Sequence, residues 1–303
     1  MNLDPLRQLD SSLVVFDAPL GPRTTYRVGG SVRALVTISR RSDFGAISTA
    51  LVASAAPIVA VGNGSNLLVN EGVHDVVAVV LEDEYASVHW RDDHDHVVVT
   101  LGAGVSLPVA ARRLSSEGIV GFEWAVGVPG TFGGAVVMNA GGHGSDIAYS
   151  LVSAEVWRRG VVRTLDVGQL ALGYRSSALR DGDLVLGGHL RLERGDAVAA
   201  NERVREIVRW RREHQPGGAN AGSVFRNPPD DYAARLIESA GAKGLRHASA
   251  SVSEKHANFI QADAGGRASD VFELINIVAQ MVLENSGVAL TRENRLLGFG
   301  GAS

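Results

Sequence analysis

The sequence predicts an α+β fold with roughly two or three domains. Its 303 residues exceed the usual length of a single domain. Strand-like apolar runs recur as far as residue 192, whereas helical patterns dominate from residue 201 onward. Hydrophobic residues make up 45% of the chain, which is enough to fill packed cores and argues against disorder.

The first predicted elements form a β-α-β unit. A strand is predicted over residues 32–38 and a short second strand over residues 58–61. Between them we expect Ser42 to cap a helix, because a serine hydroxyl can accept a hydrogen bond from the first helical turn. The helix itself is predicted because its apolar residues recur on one face. These residues are Phe44, Ile47, Leu51 and Val52.

Strand-like runs continue through the middle of the chain and are interrupted by one helix. The helix is predicted to begin after Ser106, its cap, and to end near Gly118. His94 and His96 lie in a polar turn between two of the runs, so we interpret them as solvated hairpin residues and not as metal ligands. The strands are predicted over residues 76–81, 86–90, 96–101, 154–158, 161–165 and 184–192.

The last third of the chain is predicted to be largely helical. A charged helix over residues 201–213 interleaves basic residues with glutamates, which is typical of a solvated face, and residues 216–218 end it. Two further helices are predicted over residues 231–240 and 269–285, with Gly287 as the stop of the second. That helix has the best-defined apolar stripe in the chain. The stripe comprises Val271, Leu274, Ile275, Val278, Met281 and Val282.

Charge and cysteine content exclude several classes of function. Lys and Arg total 29 against 33 Asp and Glu, and the formal net charge of -4 leaves no general basic surface for nucleic acid. The absence of cysteine excludes disulfides, iron–sulfur clusters and a cysteine nucleophile. The nine histidines show no metal-ligand spacing, so we expect no metal site. The N-terminus lacks the pattern of a signal peptide, and the apolar run at residues 76–81 is too short to span a membrane.

Two glycine-rich segments are the most informative feature of the chain. Residues 129–144 contain six glycines and no Lys, Arg, Asp or Glu. The shorter segment at residues 61–67 is also rich in glycine and lacks charged residues. Glycine lets backbone N–H groups approach a ligand closely, and such turns bind anions. We therefore expect a large phosphate-bearing cofactor, although two tight turns in a glycine-rich protein would give the same pattern. The Rossmann dinucleotide motif is G-x-G-x-x-G. Two G-x-G sequences of the chain begin like this motif, but Leu67 and Leu107 stand where its third glycine would be, which disfavours such a site.

Three polar segments could carry chemistry. Residues 220–228 place Ser223 among small residues and ahead of Arg226, but they do not form the G-x-S-x-G motif of a hydrolase. Residues 174–177 place an arginine in a loop between two strands, and residues 291–295 place a glutamate between two cations. Taken singly, each segment is more typical of an ordinary loop than of an active site.

Six motifs, taken in order, resemble those of the UDP-N-acetylenolpyruvoylglucosamine reductases, the MurB family of flavoenzymes in peptidoglycan precursor synthesis. The resemblance extends from Thr24 to Gly298, and the ordered set is highly specific. The motifs are T-T-Y-R-V-G-G at residues 24–30, G-N-G-S-N at 62–66, G-V-P-G-T-F-G-G at 127–134, Y-R at 174–175, A-G-S-V-F-R-N-P at 221–228 and S-E-K-H-A at 253–257. The chain is similar to the shorter form of the family, because a predicted strand follows the Y-R motif closely.

The resemblance implies a two-subdomain FAD-binding unit of the PCMH/MurB-like type, followed by a C-terminal α+β substrate-binding domain. The two subdomains would comprise residues 1–84 and 85–200, and the substrate-binding domain residues 201–294. A last strand at residues 295–303 would return to the first subdomain.

The resemblance also implies the cofactor and its contacts. FAD would be bound non-covalently and NADPH would be the co-substrate, in a cytoplasmic enzyme for which no protein partner, nucleic acid or membrane is indicated. The implied FAD contacts are Gly62, Asn63, Gly64, Ser65, Asn66, Pro129, Gly130, Thr131, Gly133, Gly134, Asn139 and Gly141.

The implied reaction is the NADPH-dependent reduction of UDP-N-acetylglucosamine enolpyruvate to UDP-N-acetylmuramate. Hydride would pass from NADPH to FAD and then to the enolpyruvyl group, and Ser223 would supply the proton. Arg175 and Glu293 would bind and polarise the substrate carboxylate, and Arg226 is a candidate to assist Ser223. The implied substrate contacts are Tyr174, Asn227, His214, His256 and Arg295.

His214 marks the main departure from the family pattern. In relatives a lysine meets the substrate diphosphate; His214 either takes its place or only ends the charged helix and faces solvent.

Two other functions are alternatives to the reductase. An oxidase of sugars or lactones on the same fold would need a reduced flavin that reacts with O₂, and a UDP-sugar-binding protein without redox activity would have a damaged flavin site. The intact glycine segments, together with Ser223, Arg175 and Glu293, favour the reductase.

Overall fold

The structure of the protein is a computed structural model that describes residues 1–300. Its internal contacts divide the chain into two compact units. Unit 1 comprises Met1–Ala18, Val32–Gly62 and Asp75–Trp210. Unit 2 comprises Pro19–Ser31, Asn63–His74 and the chain from Arg211 onward. Each unit is therefore built from three separate stretches of chain.

The helices within residues 1–300 are α1 (Asp4–Arg7), α2 (Phe44–Ser54), α3 (Leu107–Ser116), α4 (Phe132–Met138), α5 (Ile147–Ser150), α6 (Val167–Leu170), α7 (Ala197–His214), α8 (Ala233–Ser239) and α9 (Ala268–Ser286). Short 3₁₀ turns occur at Gly21–Arg23, Arg41–Asp43, Asp83–Ala86 and Glu123–Gly127.

The strands of the same residues are β1 (Val14–Pro19), β2 (Ser31–Ile38), β3 (Ile58–Ala60), β4 (Leu67–Val69), β5 (Val73–Leu81), β6 (Val88–Asp93), β7 (His96–Gly102), β8 (Ile119–Val120), β9 (Gly141–Gly142), β10 (Ser145–Asp146), β11 (Leu151–Arg158), β12 (Val161–Asp166), β13 (Leu184–Arg194), β14 (Arg246–His247), β15 (Ala250–Val252), β16 (Ile260–Ala262) and β17 (Arg295–Leu297).

Unit 1 contains two large sheets. The first has the strand order β1-β2-β5-β3, and β3 runs parallel to β5, to which residues 61–72 connect it. The second has the order β12-β11-β13-β7-β6 with antiparallel neighbours, and β8 pairs with the end of β13. The predicted hairpin is confirmed, because β6 pairs with β7 and leaves His94 and Asp95 as its turn. His96 is not part of the solvated turn, since it is the half-buried first residue of β7 and pairs with Asp93.

The interior of unit 1 holds two hydrophobic clusters. One includes Val36 of β2 with Ile47 and Leu51 of α2. The other includes residues of the second sheet together with Leu114 of α3 and Phe132 of α4, both completely buried. Full burial of such a side chain stabilises a fold by about 1.5–3 kcal/mol. Phe132 therefore anchors the glycine-rich segment in which it lies.

Unit 2 packs α8 against α9, and α9 against the three-stranded sheet β14-β15-β16. The apolar stripe predicted on α9 is buried apart from Met281, which is half-buried. Gly287 ends α9 in the left-handed conformation, with φ of 71°. β17 pairs in parallel with β4, with Arg295 opposite Leu67.

Most of the predicted strands and helices are confirmed, with differences at their ends. The charged helix is α7, which begins at Ala197 and not at residue 201, and β13 continues to Arg194. Ser106 does occupy the N-cap position of α3, but its side chain makes no capping hydrogen bond.

Two details predicted for α2 are wrong. Ser42 does not cap this helix, because it lies in a 3₁₀ turn and its hydroxyl donates to the Asp43 carboxylate at 3.2 Å. Asp43 occupies the N-cap position instead. Val52 is 49% exposed, whereas Ala50 and Ser54 are buried. The buried face of α2 is therefore rotated toward small residues that a search for large apolar side chains overlooks.

The division into residues 1–84, 85–200 and 201–294 stays a prediction. Of the last strand, predicted over residues 295–303, residues 301–303 lie outside the described part of the chain. None of the helices within residues 1–300 has the length and apolar composition that a membrane crossing requires. In that same range, no three His, Asp or Glu side chains gather closely enough to hold a metal ion.

Candidate active site

Gly62, the last residue of one stretch of unit 1, lies next to the longer glycine segment of that unit. A Cβ atom at Gly62 would lie 2.3 Å from Thr131 Oγ1, which is closer than atoms of neighbouring side chains come. Glycine at position 62 is therefore needed for the close approach of the two backbones. Gly62 and Thr131 were both predicted to contact the cofactor, and in the fold they are neighbours.

The turn that opens α4 is held by hydrogen bonds on its inner side. The Phe132 N–H group donates to the Val105 carbonyl at 2.8 Å. Thr131 is the N-cap of α4, and its hydroxyl accepts a hydrogen bond from the Gly134 N–H group at 3.5 Å. The burial of Phe132 and these bonds fix the turn before any ligand binds.

Three glycines of the longer segment have empty space where a side chain would lie. A Cβ atom at Gly144 would meet no atom within 4 Å, and one at Gly134 or Gly142 would meet a single atom, at 3.7 or 3.8 Å. The hydroxyl of Ser145 in β10 is buried without a hydrogen-bond partner. Open backbone beside an unsatisfied hydroxyl fits a phosphate-bearing cofactor that is held largely by the main chain.

Asn139 connects this segment to the loop that carries Arg175. It ends α4 in the left-handed conformation and is buried. Its side-chain N–H groups donate to the Asp146 carboxylate at 3.2 Å and the Gly173 carbonyl at 3.0 Å, and its oxygen accepts from the Ala148 N–H group at 3.0 Å. The whole amide therefore binds protein groups, and its predicted contact with the cofactor stays a prediction.

Arg175 and Tyr174 form the tip of a tight turn. Gly173 and Ser176 exchange two backbone hydrogen bonds, of 3.0 and 3.2 Å, around these two residues. Arg175 is half-buried with φ of 52°, and its Nη2 atom donates to the Gly141 carbonyl at 3.0 Å. The guanidinium also lies 5.5 Å from the ring centroid of the exposed Tyr174. Arg175 is thus placed at the glycine segment of its own unit.

Ser223 in unit 2 directly precedes Val224, whose backbone N–H and carbonyl groups are hydrogen-bonded to two different segments. On one side, the Val224 N–H group donates to the Asn258 carbonyl at 2.9 Å. On the other side, the Glu293 N–H group donates to the Val224 carbonyl at 2.8 Å. Ser223 and Glu293 are both half-buried and are therefore held on adjoining segments of one unit.

Asn66 fixes the backbone around Glu293. Its Nδ2 atom donates to the Glu293 carbonyl at 3.0 Å, and its own carbonyl accepts from the Arg295 N–H group at 2.8 Å. The buried Asn294 donates to Asn66 Oδ1 at 2.9 Å and to the Ala221 carbonyl at 3.3 Å. Asn66 was predicted to contact the cofactor, and the contact that the structure gives its side chain is with the segment of Glu293.

The predicted substrate contacts in unit 2 occupy different environments. His256 is half-buried against Phe259, and this burial lowers the pKa of its imidazole. Its Nδ1 atom accepts a hydrogen bond from the Asn258 N–H group at 3.2 Å, which requires an unprotonated Nδ1. Asn227 Oδ1 accepts from the Ala233 N–H group at 3.1 Å, at the start of α8.

His214 is the exposed last residue of α7. Lys255, a residue of the S-E-K-H-A motif, donates to the Arg212 carbonyl at 2.5 Å in the same turn of the helix. Arg211 donates to Gln215 Oε1 at 2.8 Å, and burial lowers the pKa of its guanidinium. Several basic groups therefore gather at this helix end, and the contact of His214 with a diphosphate stays a prediction.

Two buried asparagines were not predicted from the sequence. Asn258 and Asn294 are only 3% and 7% exposed, and each bonds the backbone beside Ser223 or Glu293. A signal was available, because Asn258 follows the S-E-K-H-A motif directly and precedes two apolar residues. An amide in an apolar run must find hydrogen-bond partners inside the protein.

Two protein families match the chain by sequence profile. The family described as "FAD binding domain" matches residues 32–163, and "UDP-N-acetylenolpyruvoylglucosamine reductase, C-terminal domain" matches residues 214–297. The UDP-N-acetylenolpyruvoylglucosamine reductase of Thiobacillus denitrificans is 38% identical over 298 residues, covering 94% of this chain and 92% of that protein. UDP-N-acetylenolpyruvoylglucosamine reductase 2 of Symbiobacterium thermophilum is 39% identical, covering 92% and 91%.

A solved structure gives the same result for the fold. The crystal structure of UDP-N-acetylenolpyruvylglucosamine reductase (MurB) from Thermus caldophilus superposes with a TM-score of 0.79 at 33% identity, covering 94% of this chain and 98% of that one. This confirms the predicted α+β fold with an FAD-binding part and a reductase C-terminal domain. The chain therefore belongs to the UDP-N-acetylenolpyruvoylglucosamine reductase family and is an FAD-binding oxidoreductase.

Proposed function

We propose that this protein reduces the enolpyruvyl group of UDP-N-acetylenolpyruvoylglucosamine to give UDP-N-acetylmuramate, with NADPH as the source of hydride. Family membership over 94% of the chain supports the reaction class. The observation that supports it most directly is the backbone hydrogen bonding between residues 224–226 and residues 291–293, because Ser223 and Glu293 then belong to adjoining segments of unit 2.

The two glycine segments contain the residues that would hold FAD. Their open backbone suits a pyrophosphate, and the absence of cysteine in the chain favours non-covalent binding. When bound, FAD supplies the hydride that adds to the terminal alkene carbon of the enolpyruvyl group.

Ser223 is the proposed proton donor. Hydride addition at the terminal carbon leaves an electron pair on the α-carbon, delocalised into the substrate carboxylate. Proton transfer from Ser223 Oγ to the α-carbon then completes the reduction, and solvent restores the hydroxyl proton. A serine hydroxyl is a weak acid, so a cation must favour its release; Arg226, three residues away, is the candidate.

Arg175 and Glu293 are the proposed partners of the substrate carboxylate. Negative charge grows on this carboxylate only as hydride is transferred, so fixed donors there stabilise the transition state more than the bound substrate. A guanidinium suits this role because its planar fork can bind a carboxylate through two N–H groups. The residues proposed to bind the rest of the substrate are Tyr174, Asn227, His214, His256 and Arg295.

The proposed FAD binding has a direct test. The purified protein should be yellow, with close to one flavin per chain, and acid precipitation should release all of the flavin into the supernatant. Flavin that stays with the precipitated protein would contradict non-covalent binding.

The proposed reaction is tested by following flavin absorbance without oxygen. NADPH should bleach the bound flavin, and UDP-N-acetylenolpyruvoylglucosamine should restore the colour while one UDP-N-acetylmuramate forms per flavin. A reduced flavin that reacts with O₂ but not with the enolpyruvyl compound would overturn the proposal, as would a protein that NADPH does not bleach.

A further inference from the structure

We infer that Asn258 is a positioning residue for Ser223, an inference that rests on the function proposed above. The side chain of Asn258 bonds both polar groups of one backbone residue: Oδ1 accepts from the Phe225 N–H group at 2.9 Å, and Nδ2 donates to the Phe225 carbonyl at 2.8 Å. Its own carbonyl accepts from the Val224 N–H group at 2.9 Å. Three hydrogen bonds thus fix the two residues that follow Ser223.

The residue directly before Ser223 is less restrained. Gly222 adopts the left-handed conformation, with φ of 73°, and a Cβ atom placed there would meet nothing within 4 Å. Its N–H group donates only to the Asn220 side chain in the same turn, at 3.1 Å. Ser223 therefore lies between a glycine that readily changes conformation and a dipeptide that Asn258 holds in place.

The second edge of the segment is set by the Glu293 region. Glu293 N–H donates to the Val224 carbonyl at 2.8 Å, and Arg226 N–H donates to the Thr291 carbonyl at 2.9 Å. Asn258 consequently holds the segment on one edge while residues 291–293 hold it on the other. A shift of the segment away from Asn258 would move Ser223 relative to Glu293.

The neutral amide of Asn258 makes this pair of bonds with its oxygen as acceptor and its N–H group as donor. Asn258 is 3% exposed, so water cannot replace a lost partner. An aliphatic residue would leave both groups of Phe225 unsatisfied, and a carboxylate would accept from the N–H group but could not donate to the carbonyl. A protonated carboxylic acid of the same shape, however, restores both bonds.

The variant Asn258→Asp tests the positioning role, because its carboxylate breaks one of the two bonds and its protonated form restores both. At pH 8 the carboxylate should displace the segment, and reoxidation of reduced flavin by the enolpyruvyl substrate should slow by about 10- to 100-fold, since small displacements of reacting groups cost rates of this order. Flavin reduction by NADPH does not use Ser223 and should stay within about twofold of wild type. As the pH is lowered and the carboxyl gains its proton, the ratio of variant to wild-type reoxidation should rise toward one.

The matched control is Asn201→Ala. Asn201 is a half-buried asparagine of unit 1 whose Nδ2 atom donates to the Ser115 and Ala197 carbonyls, so this variant also loses amide bonds to the backbone. Both half-reactions should keep their wild-type rates at every pH. If Asn258→Asp does not fold, Asn258→Ser introduces no charge and should slow reoxidation alone.

The outcomes separate this inference from the proposed function. If the reduced flavin of the wild-type protein is not reoxidised by the enolpyruvyl substrate, the proposed function fails. If the wild type reacts and the Asn258 variants either match it at every pH or slow both half-reactions equally, only the positioning role fails.

Discussion

Arg175 in unit 1 and Ser223 with Glu293 in unit 2 are positioned by different means. Arg175 lies at the tip of a two-residue turn, and one of the hydrogen bonds that fix its position comes from its own guanidinium, through Nη2 and the Gly141 carbonyl. Ser223 and Glu293 lie on adjoining segments that backbone N–H groups and the amides of Asn258 and Asn66 hold together.

This difference decides what a substitution reports. In unit 2 the positioning bonds belong to the backbone and to neighbouring asparagines, so replacing the side chain of Ser223 should leave them intact. In unit 1 the side chain of Arg175 both positions the turn and is proposed to bind the substrate, so its replacement should disturb both. Ser223→Ala is therefore expected to be a purer probe of chemistry than any change at Arg175.

The largest effect is expected for Ser223→Ala. This variant removes the proposed proton donor, and loss of a positioned acid typically costs about 10²–10⁴ in rate. Flavin reoxidation by the enolpyruvyl substrate should slow by this factor, whereas flavin reduction by NADPH should stay nearly unchanged. Rapid absorbance measurements resolve the two half-reactions, and equal slowing of both would remove Ser223 from the role of acid.

Arg175→Lys should come next, with a loss of about 10²–10³ in the reoxidation rate, the usual cost of removing one transition-state donor. Lysine keeps the positive charge but cannot supply the two parallel N–H groups of a guanidinium. It also loses the geometry of the bond to the Gly141 carbonyl, so the turn should become more mobile. Amide hydrogen exchange at residues 173–176 should therefore rise in this variant and stay unchanged in Ser223→Ala.

Glu293→Gln tests whether the two regions act on one substrate group. If Arg175 and Glu293 both act on the carboxylate, the double variant Arg175→Lys with Glu293→Gln should be little slower than the slower single variant, since residues that act as a unit are not additive. A double variant slower by the product of the two single effects would mean that the residues act independently.

The sequence predicted the positions of the glycine segments and of Ser223, but not how they are supported. Gly62 and Thr131 could be singled out because glycine-dense stretches are rare, yet their contact depends on the paths of β3 and α4, which no local pattern contains. Asn66 and Asn139 were visible as members of motifs, whereas their hydrogen-bond partners, the Glu293 and Gly173 carbonyls, lie 227 and 34 residues further along the chain.

Asn258 shows most clearly what local sequence patterns do not predict. The apolar residues after Asn258 indicate that its amide needs partners inside the protein, but the identity of that partner, Phe225, emerges only from the structure. Val52 shows the opposite error, because it was predicted to share the apolar face of α2 although it is 49% exposed. Local patterns predict elements well and long-range partners poorly, since partners depend on tertiary packing.

His256 should make the folding stability of the protein depend on pH. Burial lowers the pKa of this histidine below its ordinary value of about 6.5, so in the window between the two values the unfolded chain binds the extra proton. The contribution to folding stability is full above about pH 6.5 and is lost as the pH falls through the lowered pKa. Urea unfolding between pH 5 and pH 8 should show this loss in the wild type and a flatter profile in His256→Gln. Identical profiles for the two proteins would show that His256 does not contribute.

The smallest effect is expected for His214→Ala. If His214 meets the substrate diphosphate, this variant loses a hydrogen-bond donor to the phosphate oxygens, and its Kd for the UDP-sugar should rise several-fold. His214→Lys supplies a charged donor at the same position and should bind the UDP-sugar at least as tightly as the wild type. Flavin reduction by NADPH should stay unchanged in both variants. The substrate Kd can be titrated through flavin absorbance: an unchanged Kd in His214→Ala would mean that His214 does not contact the diphosphate and would make Arg211 or Arg212, in the same turn of α7, the candidate.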